Sequence, residues 1–407
     1  MCTTYYFTHI IKKNKYFIDI YDKEYGILEK KSIKNIFRFK FQGGFIVKKR
    51  IGLLTSGGDC PGLNATIRGV AKAAYGMMDC EIIGIKDGFK GLIENDAVIM
   101  EPKDFSGILT RGGTILGTAR TPFKKMRKIE EDGVDKVKNM LETYKALNLD
   151  CLVCLGGAGT HKNANLLREE GLNVIGLPKT IDNDIWGTDV TFGFHSAVDI
   201  ATEVIDRIHT TADSHDRVML VELMGNKAGW LTLHSGVAGG ADVILIPEIP
   251  YDPDIVIEAL KKRQRNGKNF SIIAIAEGAM TKEEDKMSKK DLKNHRKSMK
   301  YPTVSYRLAE YIQNKTDIET RVTVPGHQQR GGSPSPYDRV LASQLGAYAA
   351  KLIHEENYGM TVSIDNNTIR ATPLEEVAGK LKIVPKDDNL ILTGKLIGIN
   401  FGDEYLT

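Results

Sequence analysis

From Lys49 onward the chain alternates short β-rich runs with helical stretches, and that alternation leaves few architectures open. The runs "RIGLLTSGG", "EIIGIKDG", "LDCLVCLGG", "NVIGLP", "RVMLVELMG", "VILIPE" and "FSIIAIAEG" mostly end in Gly or Pro. They are apolar almost throughout, as strands covered on both faces are, whereas a strand with one wet face alternates. Between several of them lie helical stretches such as "LNATIRGVAKAAYGMM" and "SAVDIATEVIDRIHTTADS". Such alternation predicts parallel sheets with helices on both faces, and the number of strands predicts two such domains. The expected fold class is α/β, with two Rossmann-like three-layer α/β/α domains and mostly parallel sheets. At 407 residues the chain has core volume for both. The segment "TKEEDKMSKKDLKNHRKSMK" interrupts the pattern and reads as a solvated helix or loop.

Composition narrows the setting. Apolar residues make up 42% and charged residues 27%, as in ordinary globular proteins. No apolar run reaches the roughly eighteen residues of a membrane span. The start "MCTTYYFTHIIKKNKYF" lacks the zones of a signal peptide, so a cytoplasmic location is expected. The net charge of +4 is unevenly spread: residues 1–50 hold twelve Lys/Arg against four Asp/Glu, so the rest is mildly acidic. The body therefore offers no argument for a nucleic-acid partner. Residues 1–48, rich in Phe and Tyr, show no clean period and read as a poorly ordered extension or as upstream sequence. The alternative is an arm that binds a membrane surface or a partner. Cys151 and Cys154 have the spacing of a redox or zinc pair, but a strand turns residues three apart to opposite faces. Core packing is expected for both.

In such folds ligands sit beyond the carboxyl ends of the strands, and three turns there stand out. The first is "TSGGDCPGLN", Thr55 to Asn64, between a strand and a helix. Its glycines let backbone approach phosphate oxygens, and the helix start adds partial positive charge; read alone, it serves equally as a tight structural turn. The second, Gly156-Gly157-Ala158-Gly159-Thr160, has the same context and nothing ionisable in it. The third is "PKTIDND", Pro178 to Asp184. Buried carboxylates are costly unless paired or metal-bound. In an extended segment Asp182 and Asp184 would face the same way, roughly 7 Å apart, one to take a hydroxyl proton and one to hold a metal. An Asx turn is the plainer reading. Arg111 and Arg120 among glycines, and Arg321, His327 and Arg330 around another Gly-rich turn, suit oxyanion binding as a group.

Together "TSGGDCPGLNATIRG", "GGTILGTAR", "PKTIDND", "RVMLVELMG" and "GHQQRGGSPSPYDR", in this order, closely resemble the 6-phosphofructokinases over some 350 residues from Lys49. The resemblance implies a kinase that moves a phosphoryl group from ATP to the 1-hydroxyl of fructose 6-phosphate with Mg2+. It implies a homo-oligomer, dimer or tetramer, with the active site in the cleft between the domains. Residues 49–193 with 329–379 would bind the phosphate donor, and 194–328 with 380–407 the sugar phosphate. Asp182 would be the base, flanked by Thr180 and by Asp184 near the metal. Gly58, Gly157, Gly159, Thr160 and Lys179 would lie at the donor phosphates, and Arg120 would neutralise charge on the moving group. Met224, Gly225, Glu277, His327 and Arg330 would hold the sugar phosphate, with Arg217 and Arg321 reaching it from a neighbouring subunit.

Two positions bear on the donor. Gly159 falls where ATP users keep Gly and pyrophosphate users carry Asp. Lys179 is usual in pyrophosphate users and in a third, mixed-substrate lineage that includes ATP users. The resemblance is to that lineage, and ATP is the expected donor, with pyrophosphate as the alternative. His161, Lys162 and Asn163 give no further guidance. Ala158 departs from the family, whose turn carries an Asp that helps hold Mg2+; a weakly catalytic regulatory relative is the second alternative. Arg68, Lys72 and Lys268 match an effector-binding pattern in which His209 replaces an expected Arg.

Overall fold

The structure, a computed structural model, describes residues 48–131, 133–301 and 303–405. The extension expected over residues 1–48 lies outside them apart from Lys48. The strands are β1 (Lys49–Ser56), β2 (Cys80–Ile85), β3 (Ala97–Met100), β4 (Cys151–Gly156), β5 (Val174–Pro178), β6 (Val218–Leu223), β7 (Val243–Leu245), β8 (Ser271–Ala276), β9 (Thr320–Thr323), β10 (Met360–Asp365) and β11 (Thr368–Pro373). They form a seven-stranded sheet in the order β11-β10-β5-β4-β1-β2-β3 and a four-stranded sheet in the order β7-β8-β6-β9. The smaller sheet is parallel throughout. The larger is parallel at its centre and antiparallel only at β2–β3 and β10–β11. This is the mostly parallel α/β architecture the alternation predicts. All seven quoted runs are strands; β3, β9, β10 and β11 add four more.

Alternate side chains of one strand enter different cores. Ile51, Leu53, Cys151 and Val153 pack on one side, and Leu54, Leu152 and Cys154 on the other. The two cysteines thus face opposite layers, and burial pushes both thiols up, so neither acts as a thiolate. The helices that position the site are α1 (Leu63–Met77), α2 (Ala158–Glu169), α3 (Phe194–His215), α4 (Trp230–Ala238) and α5 (Pro336–His354). α1 and α5 touch backbone to backbone: a Cβ on Gly69 would lie 2.9 Å from the Ser343 carbonyl, and one on Gly346 2.5 Å from that of Thr66. No helix among the described residues is long and apolar enough to cross a membrane.

The charged interruption is less solvated than its composition suggests. It forms helices over Lys282–Asp285 and Lys289–Ser298. Glu284 is buried there, 3.0 Å from the Arg296 guanidinium and 3.2 Å from that of Arg307. Two guanidinium groups repay the desolvation of one carboxylate, which is how a buried acid is kept charged.

Candidate active site

Two of the quoted motifs fasten to each other at the end of β1. The Thr55 hydroxyl donates to the Gly117 carbonyl at 2.7 Å, and Gly57 N–H to that of Ala119 at 3.2 Å. Asn64, fully buried at the start of α1, donates to the carbonyls of Arg111 and Gly112 and accepts from Ile115 N–H at 2.8 Å. These bonds bring Arg120 over the first turn. A Cβ on Gly58 would lie 2.9 Å from one Arg330 nitrogen and 3.5 Å from one of Arg120. Only glycine leaves room there for both guanidinium groups and anything they hold.

A third cation stands below. Lys179 is 3% exposed, and its ammonium donates to the Gly58 carbonyl. Arg330 donates to the carbonyl of Asp59 at 3.2 Å. Burial, opposed by Cys60 and aided by Arg330, lowers the lysine's pKa. Lys179 and Arg330, drawn together over carbonyl oxygens with Arg120 beside them, repel one another, and a polyanion relieves that repulsion.

Beyond Lys179 the chain makes the turn that carries the carboxylates. Asp182 N–H donates to Thr180 Oγ1 at 3.0 Å. Asn183 takes φ 51, so the segment is not the extended one expected from the sequence. Asn tolerates this left-handed conformation, and its side chain is fully used: Nδ2 donates to the Asp189 carbonyl at 3.3 Å and Oδ1 accepts from Thr191 N–H at 3.1 Å. Asp182 and Asp184 still line one cleft of about 370 Å³ with Gly58, Arg120, Lys179 and Arg330. Burial, then the like charge of Asp184, raises the Asp182 carboxyl to about 6. Asp182 Oδ1 is buried without a hydrogen-bond partner. Burial also raises Asp184.

The start of α2 closes the cleft on the far side of Lys179. Its N-cap, Gly157, provides no side-chain cap, so the amides of its first turn are left for a ligand. Gly157, Ala158, Gly159 and Thr160 all line the cleft. His161 turns away: Nδ1 meets the Gly157 carbonyl at 3.0 Å and Nε2 the Thr361 hydroxyl at 2.9 Å. Burial lowers it to about 4, so it stays neutral and structural. Asn163, unread in the sequence, does line the cleft. Its amide donates to the Thr121 carbonyl at 3.0 Å, while Oδ1 is buried without a partner.

The phosphofructokinase family model matches residues 50–353. The chain belongs to that family. The ATP-dependent 6-phosphofructokinase of Spirochaeta thermophila is 59% identical over 358 residues, covering 87% of this chain and 98% of that one. ATP-dependent 6-phosphofructokinase 3 of Bacteroides thetaiotaomicron is 48% identical over 354 residues, covering 87% and 100%. Among solved structures, T-state Pichia pastoris phosphofructokinase superposes with a TM-score of 0.70 at 32% identity. It covers 87% of this chain, which spans only 37% of the yeast one.

As a phosphofructokinase, the chain divides its expected sugar-side residues into two groups. Met224 and Gly225 follow β6, and Met224 N–H donates to Gln329 Oε1 at 3.2 Å. Glu277 follows β8 and accepts from Asn226 N–H at 2.8 Å; Asn226 itself lines the cleft. His327 is exposed in the short helical turn Gly326–Arg330, of which Arg330 alone enters the cleft. Arg217 precedes β6, and Arg321 lies on β9 opposite Met219. That is the other end of the strand, roughly 20 Å from Met224 at about 3.3 Å per residue. There both arginines share Glu319, Arg217 at 2.9 Å. His209, in the expected effector pattern, is bonded to the Gly239 carbonyl at 2.7 Å.

Proposed function

We propose that this chain is an ATP-dependent 6-phosphofructokinase, transferring the γ-phosphoryl of ATP to the 1-hydroxyl of fructose 6-phosphate in the cytoplasm. The observation that carries this reading is one cleft in which three cations face two carboxylates, Asp182 half-buried and Asp184 buried. The O1–P bond forms as the bond from the γ-phosphorus to the bridging oxygen breaks; fructose 1,6-bisphosphate and ADP leave, and the hydroxyl proton goes to Asp182. A carboxyl raised to about 6 is ionised at neutral pH and more basic than an ordinary aspartate, which suits that task. Arg120 and Lys179 take up charge on the phosphoryl group, Arg330, expected on the sugar side, stands between it and the sugar phosphate, and the amides of Gly157, Gly159 and Thr160 at the start of α2 hold donor phosphates. Met224, Gly225, Glu277 and His327 belong to the sugar side in this reading. Arg217 and Arg321 would serve the sugar site of a second copy, so the enzyme is a homo-oligomer.

Asp184 is the residue that would hold Mg2+. Its neighbourhood fits that ion: a buried carboxylate lining the same cleft as the turn that would hold the donor phosphates. Mg2+ keeps several waters and needs only one or two carboxylates beside substrate phosphates. When bound, it neutralises charge on the donor. Ala158 supplies no ligand, so the site depends on Asp184 alone.

Initial rates of fructose 1,6-bisphosphate formation with ATP and with pyrophosphate test the assignment. Turnover is expected with ATP and not with pyrophosphate. Ala158→Asp is expected to lower the Mg2+ concentration for half-maximal rate up to about tenfold, with kcat changed less than that. Turnover with pyrophosphate only would overturn the donor assignment. Silence with both donors, relieved by Ala158→Asp, would mark a regulatory relative.

The free acceptor of Asn163 also favours a nucleotide. Adenosine brings N–H and O–H donors, whereas fully ionised pyrophosphate brings only acceptors. Asn163→Leu is expected to raise the KM for ATP about five- to tenfold, the worth of one hydrogen bond, leaving the KM for fructose 6-phosphate unchanged. An unchanged KM for ATP would remove Asn163 from the donor site.

A further inference from the structure

The turn that carries both carboxylates is held from outside by one residue near the end of the chain. Lys382 Nζ donates to Asn183 Oδ1 at 3.0 Å and to the carbonyls of Thr188 and Asp189, each at 2.8 Å. Its own N–H donates to the Asp184 carbonyl at 3.0 Å, beside a bridge between Leu381 and Ile185. Its carbonyl accepts from Trp230 Nε1 on α4 at 3.3 Å, and its ammonium stands 5.4 Å from the centre of the Trp230 ring.

We propose that Lys382 is a positioning residue for the reaction, fixing the left-handed Asn183 so that the carboxylates on either side of it point into the cleft. Three acceptors converge on one ammonium, which has three donors to give. A planar guanidinium presents its donors as a fork and cannot reproduce that convergence. Asn183 is the hub. It closes the loop internally through Thr191 and Asp189, and Lys382 ties this closed loop to α4. Left-handed backbone is a minority state even for Asn. Without the ammonium, the 182–184 peptides keep their backbone bonds but lose the three that fix Asn183 and its loop from outside, and a small shift there re-aims both side chains. A displacement of about 1 Å of a reacting group is enough to cost about 100-fold in rate.

The inference rests on reading Asp182 as the base, and turnover by the unaltered chain in the same assay tests that reading by itself. Lys382→Met keeps the aliphatic stem and removes the ammonium. It is expected to lower kcat about 10- to 100-fold, with the KM for either substrate within about threefold. Lys382→Arg should restore only part of the loss. Asn183→Gly keeps the left-handed conformation accessible and removes the shared acceptor. Combined with Lys382→Met, it should fall no more than about threefold below the worse single variant, because both break one linkage. A kcat for Lys382→Met within about twofold of the unaltered enzyme, or losses that multiply in the double variant, would overturn the proposal. If Lys382→Met does not fold, Lys382→Arg takes its place in the same cycle and is read the same way.

Discussion

Asp182→Asn should lower kcat by roughly 100- to 10,000-fold, the usual worth of a general base, and should leave the KM for ATP nearly unchanged. The same substitution should make the protein more stable. Burial, followed by the like charge of Asp184, raises the Asp182 carboxyl from 3.8 to about 6. The folded chain therefore holds a proton between about pH 4 and 6 that the unfolded chain has released. Stability drains away as pH rises through that window, reaching a full cost of about 3 kcal/mol above it. Asparagine carries no such charge. In buffer without divalent cations the variant should exceed the unaltered protein in urea midpoint at pH 8, and the gap should narrow toward pH 4. A variant that keeps more than a tenth of the turnover removes Asp182 from the base role. One that is less stable at pH 8 contradicts the account of its burial.

The second large effect is expected at a residue that does not line the cleft. Asp338, on α5, is fully buried and accepts from Gly193 N–H at 3.0 Å, Ser196 N–H at 2.7 Å and the Ser196 hydroxyl at 2.6 Å. It thereby caps α3 from another helix. Gly193, at φ 94, has no space for a side chain: its Cβ would lie 2.4 Å from Cys60 Sγ. Asp338→Ala strips three charge-assisted bonds at once and leaves buried donors unpaired, which should cost about 3–5 kcal/mol. Asp338→Asn keeps an acceptor and should lose distinctly less. Urea unfolding of the three proteins measures this, and a loss under about 1 kcal/mol for Asp338→Ala would show that α3 needs no such cap.

The contrast between these two aspartates explains what the sequence made legible. The strands were readable because burial on both faces writes itself as unbroken apolar runs, as at "CLVCLG". The strands β3, β10 and β11 at the edges were harder: β3 is only four residues, and β11, "TIRATP", is half-exposed and mixed in composition. In the cleft, Gly58, Arg120, Asp182, Asp184 and Arg330 were legible because glycines, arginines and paired acids are conspicuous in short motifs, whereas Lys179 came only with the family resemblance. Asn163 was not, since its free acceptor exists only once Thr121 has taken the other half of the amide. Asp338 sat inside a quoted motif, but an acid serving a helix start 142 residues away leaves no local mark. Lys382 is harder still, being one lysine among many until the fold brings three oxygens to it.

The position of Lys382 also sets an order of events during biosynthesis. Both sheets are complete by Pro373, and every residue lining the catalytic cleft has been made by Arg330. A nascent chain can thus form the donor cradle and all the strands before the clamp on Asn183 exists, but not the whole core, which also takes Val384, Ile391, Ile399 and Phe401. The closing segment therefore brings the clamp together with the last core residues and the bridge from Asn400 to Val243, so the final tightening of the core and of the carboxylate turn coincide. A translation product that stops before Lys382 lacks both the clamp and those four core residues.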